Sequence, residues 1–400
     1  MRMLFVHEVN YEHKVIYEMH EFPELFALAG NEVSFFHFPE GPSGTTRSWK
    51  TRRERISGRA YPEASIELIS PPTWGGSVIE RYLAPIVNVP SLRREIRSGH
   101  YDVIVLYAVP TTGWQTVNLA RRAGVPVVFR ALDVSHMIRS SVLSPLIRAA
   151  ERYIYPRVQL LSANNGGLAE YCVAESGRVG PVSINLPPLD LSHFAGGDGA
   201  GKRNALGIPA EARVIMYMGS FFDFSGLDIV LEELVTHLRA DSTLRFVLVG
   251  GGDLDSRLRQ RVTELRLDDQ VVFTGVVKYD ELPSYLAMAD AAINPFVSQL
   301  VTNVALPHKV LQYLAAGRPT VSTDLTGLRS VLGEEAGVLW AADPRGVATR
   351  AVELVRKDEV SLAAMAASGT AFVNSRFSAG ASLSSFDESI RSVVGASRQS

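Results

Sequence analysis

Lys309 and Gln312 stand three residues apart in the run Pro307-His-Lys-Val-Leu-Gln-Tyr-Leu-Ala-Ala-Gly-Arg-Pro319. On a helix, that spacing puts both side chains on one face near the N-terminal end. Pro307 suits the entrance, where its missing N–H would be unpaired anyway. Gly317 and then Pro319 mark the exit. The open amides and the dipole of a helix start attract an anion. Lys309 adds a positive charge, with His308 beside it as a second carrier. A carboxamide such as that of Gln312 donates to and accepts from sugar hydroxyls. These residues describe a seat for a nucleoside diphosphate.

A second constellation lies in the first half. Asp133 closes Arg130-Ala-Leu-Asp133, directly after the apolar run Val127–Phe129. A carboxylate there either takes a proton from a bound hydroxyl or caps a helix beginning at Val134. His136 reads as a packed or solvated histidine. Glu8 ends the first apolar run and Tyr11 follows in a loop. With Arg130, these two are binding candidates, assigned to an acceptor by the family resemblance described below. There is no Gly-x-Ser-x-Gly elbow for a hydrolase, no zinc-ligand spacing and no GxxxxGK[ST] loop. Asp253-Leu-Asp255 has the spacing of a metal pair, but it follows a glycine turn and reads as a helix start; no metal ligand is assigned.

Short apolar runs alternate with helical patterns and would position these residues. Leu4–His7, Val33–Phe38, Ile66–Ile69, Val103–Tyr107, Val127–Phe129 and Gln159–Leu161 read as buried parallel strands. Helical patterns lie at Val15–Ala29, Ile79–Ser98, Trp114–Ala123 and Ser144–Tyr155. The rhythm breaks near Pro187-Pro188 and turns polar through Gly196-Gly-Asp-Gly-Ala-Gly201. It restarts at Val214–Met218, Phe246–Val249, Val271–Thr274, Ala291–Asn294, Thr320–Ser322 and Val338–Trp340. This is α/β alternation in two Rossmann-like domains. The expected boundaries are 1–190, a linker at 191–210, 211–375, and a last helix at 376–400.

Composition agrees. The chain has 400 residues, 46% hydrophobic and 20% charged, enough for two real cores. A net charge of −2 gives no bulk attraction to nucleic acid. The one cysteine, Cys172, suits a reducing compartment. Met3-Leu-Phe-Val6 is too short for a signal peptide, and no window approaches the ~20 apolar residues of a membrane span. A cytoplasmic protein is expected. The stretch Gly41–Ala60 holds Arg47, Lys50, Arg52, Arg53, Arg55 and Arg59 against Glu54, with Trp49 among them. It reads either as a solvated loop or as a peripheral contact, Arg47–Arg59, for anionic lipid or a phosphorylated acceptor.

The run from Pro307 resembles the donor-binding helix of family-4-like glycosyltransferases of the GT-B fold. Phe246-Val-Leu-Val-Gly-Gly-Gly252 and Gln270-Val-Val-Phe-Thr-Gly-Val276 resemble that family's next strand-and-loop units. The resemblance covers residues 211–358 well and the first half loosely. It implies a GT-B architecture whose two domains face each other across a cleft, with the last helix crossing back to the first domain. It also implies glycosyl transfer from a UDP- or GDP-linked sugar to a carbohydrate, lipid-linked or small-molecule acceptor, with no cofactor. Gly219, Ser220, Gly251, Val276, Pro307, His308, Lys309 and Gln312 would hold the donor. The chain departs from the pattern at four places. Val304 and Gln312 occupy the slots of an acidic pair, and Ser220 and Ser225 those of two diphosphate-binding cations. A silent nucleotide-binding scaffold of polysaccharide assembly and a nucleotide-sugar epimerase are the alternatives.

Overall fold

The computed structural model describes residues 1–38, 48–73, 83–84, 86–137 and 143–399. Arg47, and the opening residues of the helix expected from Ile79, lie outside them. The chain divides into two compact units: Met1–Pro188 with Ala379–Ser400, and Leu189–Ser378.

In the first unit the described strands are β1 (Arg2–Val6), β2 (Glu32–Phe36), β3 (Arg52–Ser57), β4 (Ser65–Ser70), β5 (Val103–Leu106), β6 (Val127–Ala131), β7 (Leu160–Ala163) and β8 (Val182–Ile184). They form one sheet in the order β3-β4-β2-β1-β5-β6-β7-β8. All neighbours are parallel except β3, which runs antiparallel to β4 with Arg52 opposite Ser70 and Ile56 opposite Ile66. The central strands are apolar on both faces because helices cover both. Phe5 and Phe35 pack with Phe22 and Phe26 of the helix Glu18–Leu28. Phe386 and Ile390, from the helix Ala379–Gln399, complete that cluster.

Strand β3 and the short β8 were not legible as strands. In β3 a crowd of cations hides the alternation. It forms because Arg53 finds carboxylates on its neighbours, bonding Glu67 at 3.2 Å and also Glu95. Charged side chains suit an edge strand, which must not pair further.

The second unit holds β9 (Arg213–Ser220), β10 (Leu244–Gly251), β11 (Val271–Gly275), β12 (Ala291–Asn294), β13 (Thr320–Thr323) and β14 (Leu339–Ala341). They form a parallel sheet in the order β11-β10-β9-β12-β13-β14. The stretch expected to be a linker instead carries the helices Leu191–Phe194 and Gly199–Ala205 and belongs to this unit. Arg203 ties it down by bonding Asp290 at 2.9 Å and the carbonyl oxygens of Met288 and Ala212.

Strand order reverses between β9 and β12 in one sheet and between β1 and β5 in the other. Open parallel sheets bind ligands beyond the carboxyl ends of their strands at such reversals. Gly219 and Ser220 end β9 at the first of these points, Glu8 follows β1 at the second, and Gly251, Val276, Arg130 and Asp133 lie in or after the neighbouring strands.

Candidate functional site

At the reversal in the second unit, β9 ends in Gly219-Ser220 and the helix His308–Ala315 begins just after Pro307. Pro307 is the residue before the helix, with φ −63° and ψ 109°, rather than its first turn. Tyr313 fastens helix to strand, its hydroxyl accepting from the Met218 amide at 2.8 Å. Lys309 then reaches back to β9. Its ammonium donates to the Tyr217 hydroxyl at 2.6 Å, and that hydroxyl donates onward to the Ser220 carbonyl at 2.8 Å. The ammonium also lies 3.9 Å from the centre of the Tyr217 ring and 4.4 Å from that of Phe296.

Glycine at 219 makes this possible. Its φ is +134°, and a Cβ there would fall 2.9 Å from Lys309 Nζ. Gly250, beside it on β10 with φ +129°, would put a Cβ 2.1 Å from the Gly219 carbonyl oxygen. The two strand ends therefore approach backbone to backbone.

Among the described residues no carboxylate pairs with Lys309. Burial without a counter-ion holds its ammonium well below its ordinary range. The two ring faces favour the charged form and offset part of that cost. A half-buried cation at a helix start, with no anion of its own, suits an anionic ligand.

The other donor candidates surround it unevenly. Gln312 is buried on the helix next to Tyr313, and its carboxamide makes no hydrogen bond within the described residues. His308 is half-buried and precedes Lys309. Ser220 is exposed at the end of β9, and Gly251 ends β10 beside it. Val276 follows β11 and is 79% exposed, with a methyl 3.8 Å from where a Gly251 Cβ would lie. Ser225 is fully buried and its hydroxyl has no partner among the described residues. Asp255 opens the helix Asp255–Leu265 and bonds Arg259 at 2.8 Å.

In the first unit, Glu8 follows β1, and its carboxylate accepts from the Thr111 amide at 3.1 Å and hydroxyl at 2.8 Å. That pair spans the reversal between β1 and β5. Asp133 follows β6 and is half-buried; Val134–Met137 is a turn, so Asp133 caps no helix. Burial first, then the charges of Glu151 and Glu8, push its carboxyl up to about 7. His136 lies beyond it, with Nδ1 2.7 Å from Glu151. Tyr171 donates to the same carboxylate at 3.2 Å.

Two acceptor candidates do other work. Tyr11 is fully buried and gives its hydroxyl to Glu24. Arg130 is 1% exposed. It makes a two-point bond to Glu18 at 2.7 and 2.9 Å, donates to the Ser162 hydroxyl and the Asn185 carbonyl, and lies 5.4 Å from the Phe22 and Phe386 rings. Neither side chain has surface left to meet an acceptor. Arg130→Gln should therefore cost about 3–5 kcal/mol of stability, because Glu18 stays buried without its partner. Urea unfolding would show it; an acceptor ligand would instead change KM at constant stability.

Thr111, Phe296 and the His136–Glu151 pair did not emerge from sequence. Only Phe296 carried a signal, as an aromatic just past the end of β12.

Two family models match the chain: glycosyl transferases group 1 over residues 212–357, and a glycosyl transferase 4-like domain over residues 25–187. A D-inositol 3-phosphate glycosyltransferase of Acidothermus cellulolyticus is 30% identical over 168 residues, 40% of this chain and 36% of that protein. One from Geodermatophilus obscurus is 27% identical over 289 residues, 66% of this chain and 62% of that protein. The chain thus spans between about a third and two-thirds of these relatives' length. Among solved structures, the sucrose-phosphate synthase of Thermosynechococcus elongatus superposes with a TM-score of 0.76 at 17% identity, over 99% of this chain and 100% of that one. HepE of Anabaena in complex with UDP gives 0.73 at 15% identity, over 98% and 100%. These structural matches show the GT-B fold, and with the two domain models the chain belongs to the group 1, family-4-like glycosyltransferases.

Proposed function

We propose that this chain transfers a sugar from a nucleoside-diphosphate sugar to an acceptor hydroxyl. The observation that carries the reading is Lys309, a half-buried cation at a helix start with no carboxylate partner among the described residues. In this reading Lys309 and the first amides of His308–Ala315 balance the negative charge that grows on the departing diphosphate. Gln312 meets hydroxyls of the donor, and the backbone at Val276 meets the base. Glu8 and Asp133 hold the acceptor hydroxyl, with Asp133 receiving its proton. The donor set holds its own positive charge and Asp255 is committed to Arg259, so transfer is taken to be metal-independent and indifferent to chelator. UDP is the first donor nucleotide to try, since HepE was solved with UDP and with UDP-glucose. The acceptor is a sugar or polyol hydroxyl, free or lipid-linked; the curated relatives are named for D-inositol 3-phosphate.

A second reading is favoured by Ser220 and Ser225, which stand where the family places cations: a silent nucleotide-binding protein. A thermal-shift panel of UDP, GDP, ADP and dTDP tests the shared premise, because a ligand of the folded state raises its midpoint. One nucleotide should stabilise the chain, and nucleoside diphosphate should then be released from its sugar only when an acceptor is present. No shift in a folded sample overturns the proposal. A shift without release across broad acceptor panels supports the silent reading, and turnover without acceptor supports an epimerase.

A further inference from the structure

The reversal between β1 and β5 carries more than Glu8 and Asp133. His7, just past β1, is buried with its ring stacked on Tyr107, 5.2 Å between centres. Its Nδ1 accepts from the Glu8 amide at 2.8 Å, so this hydrogen bond assigns the proton to Nε2. Nε2 lies 3.3 Å from the Tyr17 hydroxyl and donates to it. The Tyr17 oxygen is thus an acceptor within the protein, while its own proton goes to no described residue. Tyr17 is half-buried. Burial first, then the charges of Asp133, Glu18 and Glu8, hold that proton on beyond the ordinary phenol range. Tyr17 stays a donor throughout the working pH range.

The field around this hydroxyl is acidic. Glu8 receives the Thr111 amide and hydroxyl, just ahead of the helix Gly113–Ala123. A helix entrance is where an incoming phosphate would be received, and here the chain's own carboxylate stands at the approach. At Asp133, burial and the charges of Glu151 and Glu8 outweigh Lys14, which is exposed on the loop after β1 and pulls the other way. Arg130 is the cation placed to answer a phosphate from within this sheet, and it is spent on Glu18, Ser162 and Asn185.

We propose that this site takes an uncharged sugar or polyol ring, bearing no phosphate or carboxylate, and that Tyr17 donates a hydrogen bond to one of its hydroxyls. The proposal rests on the reading that the first unit receives the acceptor. A polyol gives protons to Glu8 and Asp133 and takes one from Tyr17, because each hydroxyl both donates and accepts. A phosphate monoester only accepts, and it brings about two negative charges at neutral pH. Like charges brought together at a binding surface suppress the wrong partner. This ring differs from the phosphorylated compound for which the curated relatives are named.

Release of nucleoside diphosphate from UDP-, GDP-, ADP- and dTDP-glucose tests this with matched acceptors. The pairs are myo-inositol and D-inositol 3-phosphate, glucose and glucose 6-phosphate, glycerol and glycerol 3-phosphate. The neutral member should be preferred at least about tenfold in kcat/KM, the effect of like charges within about 10 Å at an effective dielectric of about 20. Salt should shrink the preference, and Glu8→Gln should narrow it by removing one charge. Tyr17→Phe should raise the KM of the neutral acceptor about 2- to 12-fold, the range for a neutral hydrogen bond. It should leave kcat, the melting midpoint and the nucleotide-induced shift as in wild type, whereas a packing role would move the midpoint. Phosphorylated members used as well as neutral ones, or Tyr17→Phe with an unchanged KM, overturn this proposal while the nucleotide-induced shift stands. A chain that no nucleotide stabilises, or one stabilised without release to any pair, overturns instead the reading on which the proposal rests.

Discussion

Lys309→Met is expected to weaken nucleoside-diphosphate binding about 10- to 150-fold, the range that follows from about 1.5–3 kcal/mol for a hydrogen bond to a charged group. Methionine keeps an apolar stem between Tyr217 and Phe296 and removes the charge together with the hydrogen bond to the Tyr217 hydroxyl. The unliganded variant should melt no lower than the wild type, because a cation without a carboxylate is a cost to the empty protein. Lost binding with no loss of stability is the signature of a ligand-directed charge, whereas a packing residue would lose both together. The pH dependence has a definite sign. The folded protein holds the ammonium below its ordinary range, so the unfolded chain keeps its proton to higher pH. Stability therefore rises with pH through that window. A bound diphosphate restores the proton, so binding should take up protons there and strengthen as pH falls. Calorimetry in buffers of different ionisation enthalpy measures the uptake. A Lys309→Met protein that binds UDP as tightly as wild type would remove this residue from the donor site.

Asp133→Asn carries the second large effect. A positioned general base contributes about 10²–10⁴-fold to rate, and turnover should fall by that much while the nucleotide-induced thermal shift is unchanged. Burial and the neighbouring charges of Glu151 and Glu8 raise its carboxyl to about 7. The wild-type kcat/KM should therefore decline below about that pH, where the group is protonated and accepts nothing. Glu8→Gln removes one of the charges, so the decline should move to lower pH. The same shift penalises the folded state as pH rises from the ordinary aspartate range toward 7, the reverse of a salt-bridged carboxylate. An acid limb that survives unchanged in Asp133→Asn would show that another group titrates.

The core of the fold was legible because parallel strands covered on both faces are unbroken apolar runs. Ala291–Asn294 and Val103–Leu106 needed little more than that rule. Edges were harder. β3 is held by ion pairs to Glu67 and Glu95, from strand and helix partners that local sequence does not reveal. In the site, the helix from Pro307 was readable from its spacing and stop signals. What Lys309 touches was not, since Tyr217 and Phe296 come from two other strand ends. Arg130 misled for a physical reason: arginine beyond a strand usually faces solvent or ligand, and here Glu18, Ser162 and Asn185 together absorb it. Glycine-rich polarity at 196–201 suggested a linker, yet Arg203 and Asp290 anchor that stretch to the second unit.

The helix Ala379–Gln399 has a consequence for synthesis. The second unit is one continuous segment, but the first is not. Asn185 donates to Ser385 across 200 residues of sequence, and Phe386 packs on Phe22 and Phe26. A ribosome exposes Phe22 and Phe26 long before it makes their partner. The usual amino-to-carboxyl order of folding is therefore inverted in its last step. Leu189–Ser378 is complete as soon as it is made, while the first unit, whose strands were all made earlier, keeps an open aromatic face that a chaperone could hold until the helix arrives.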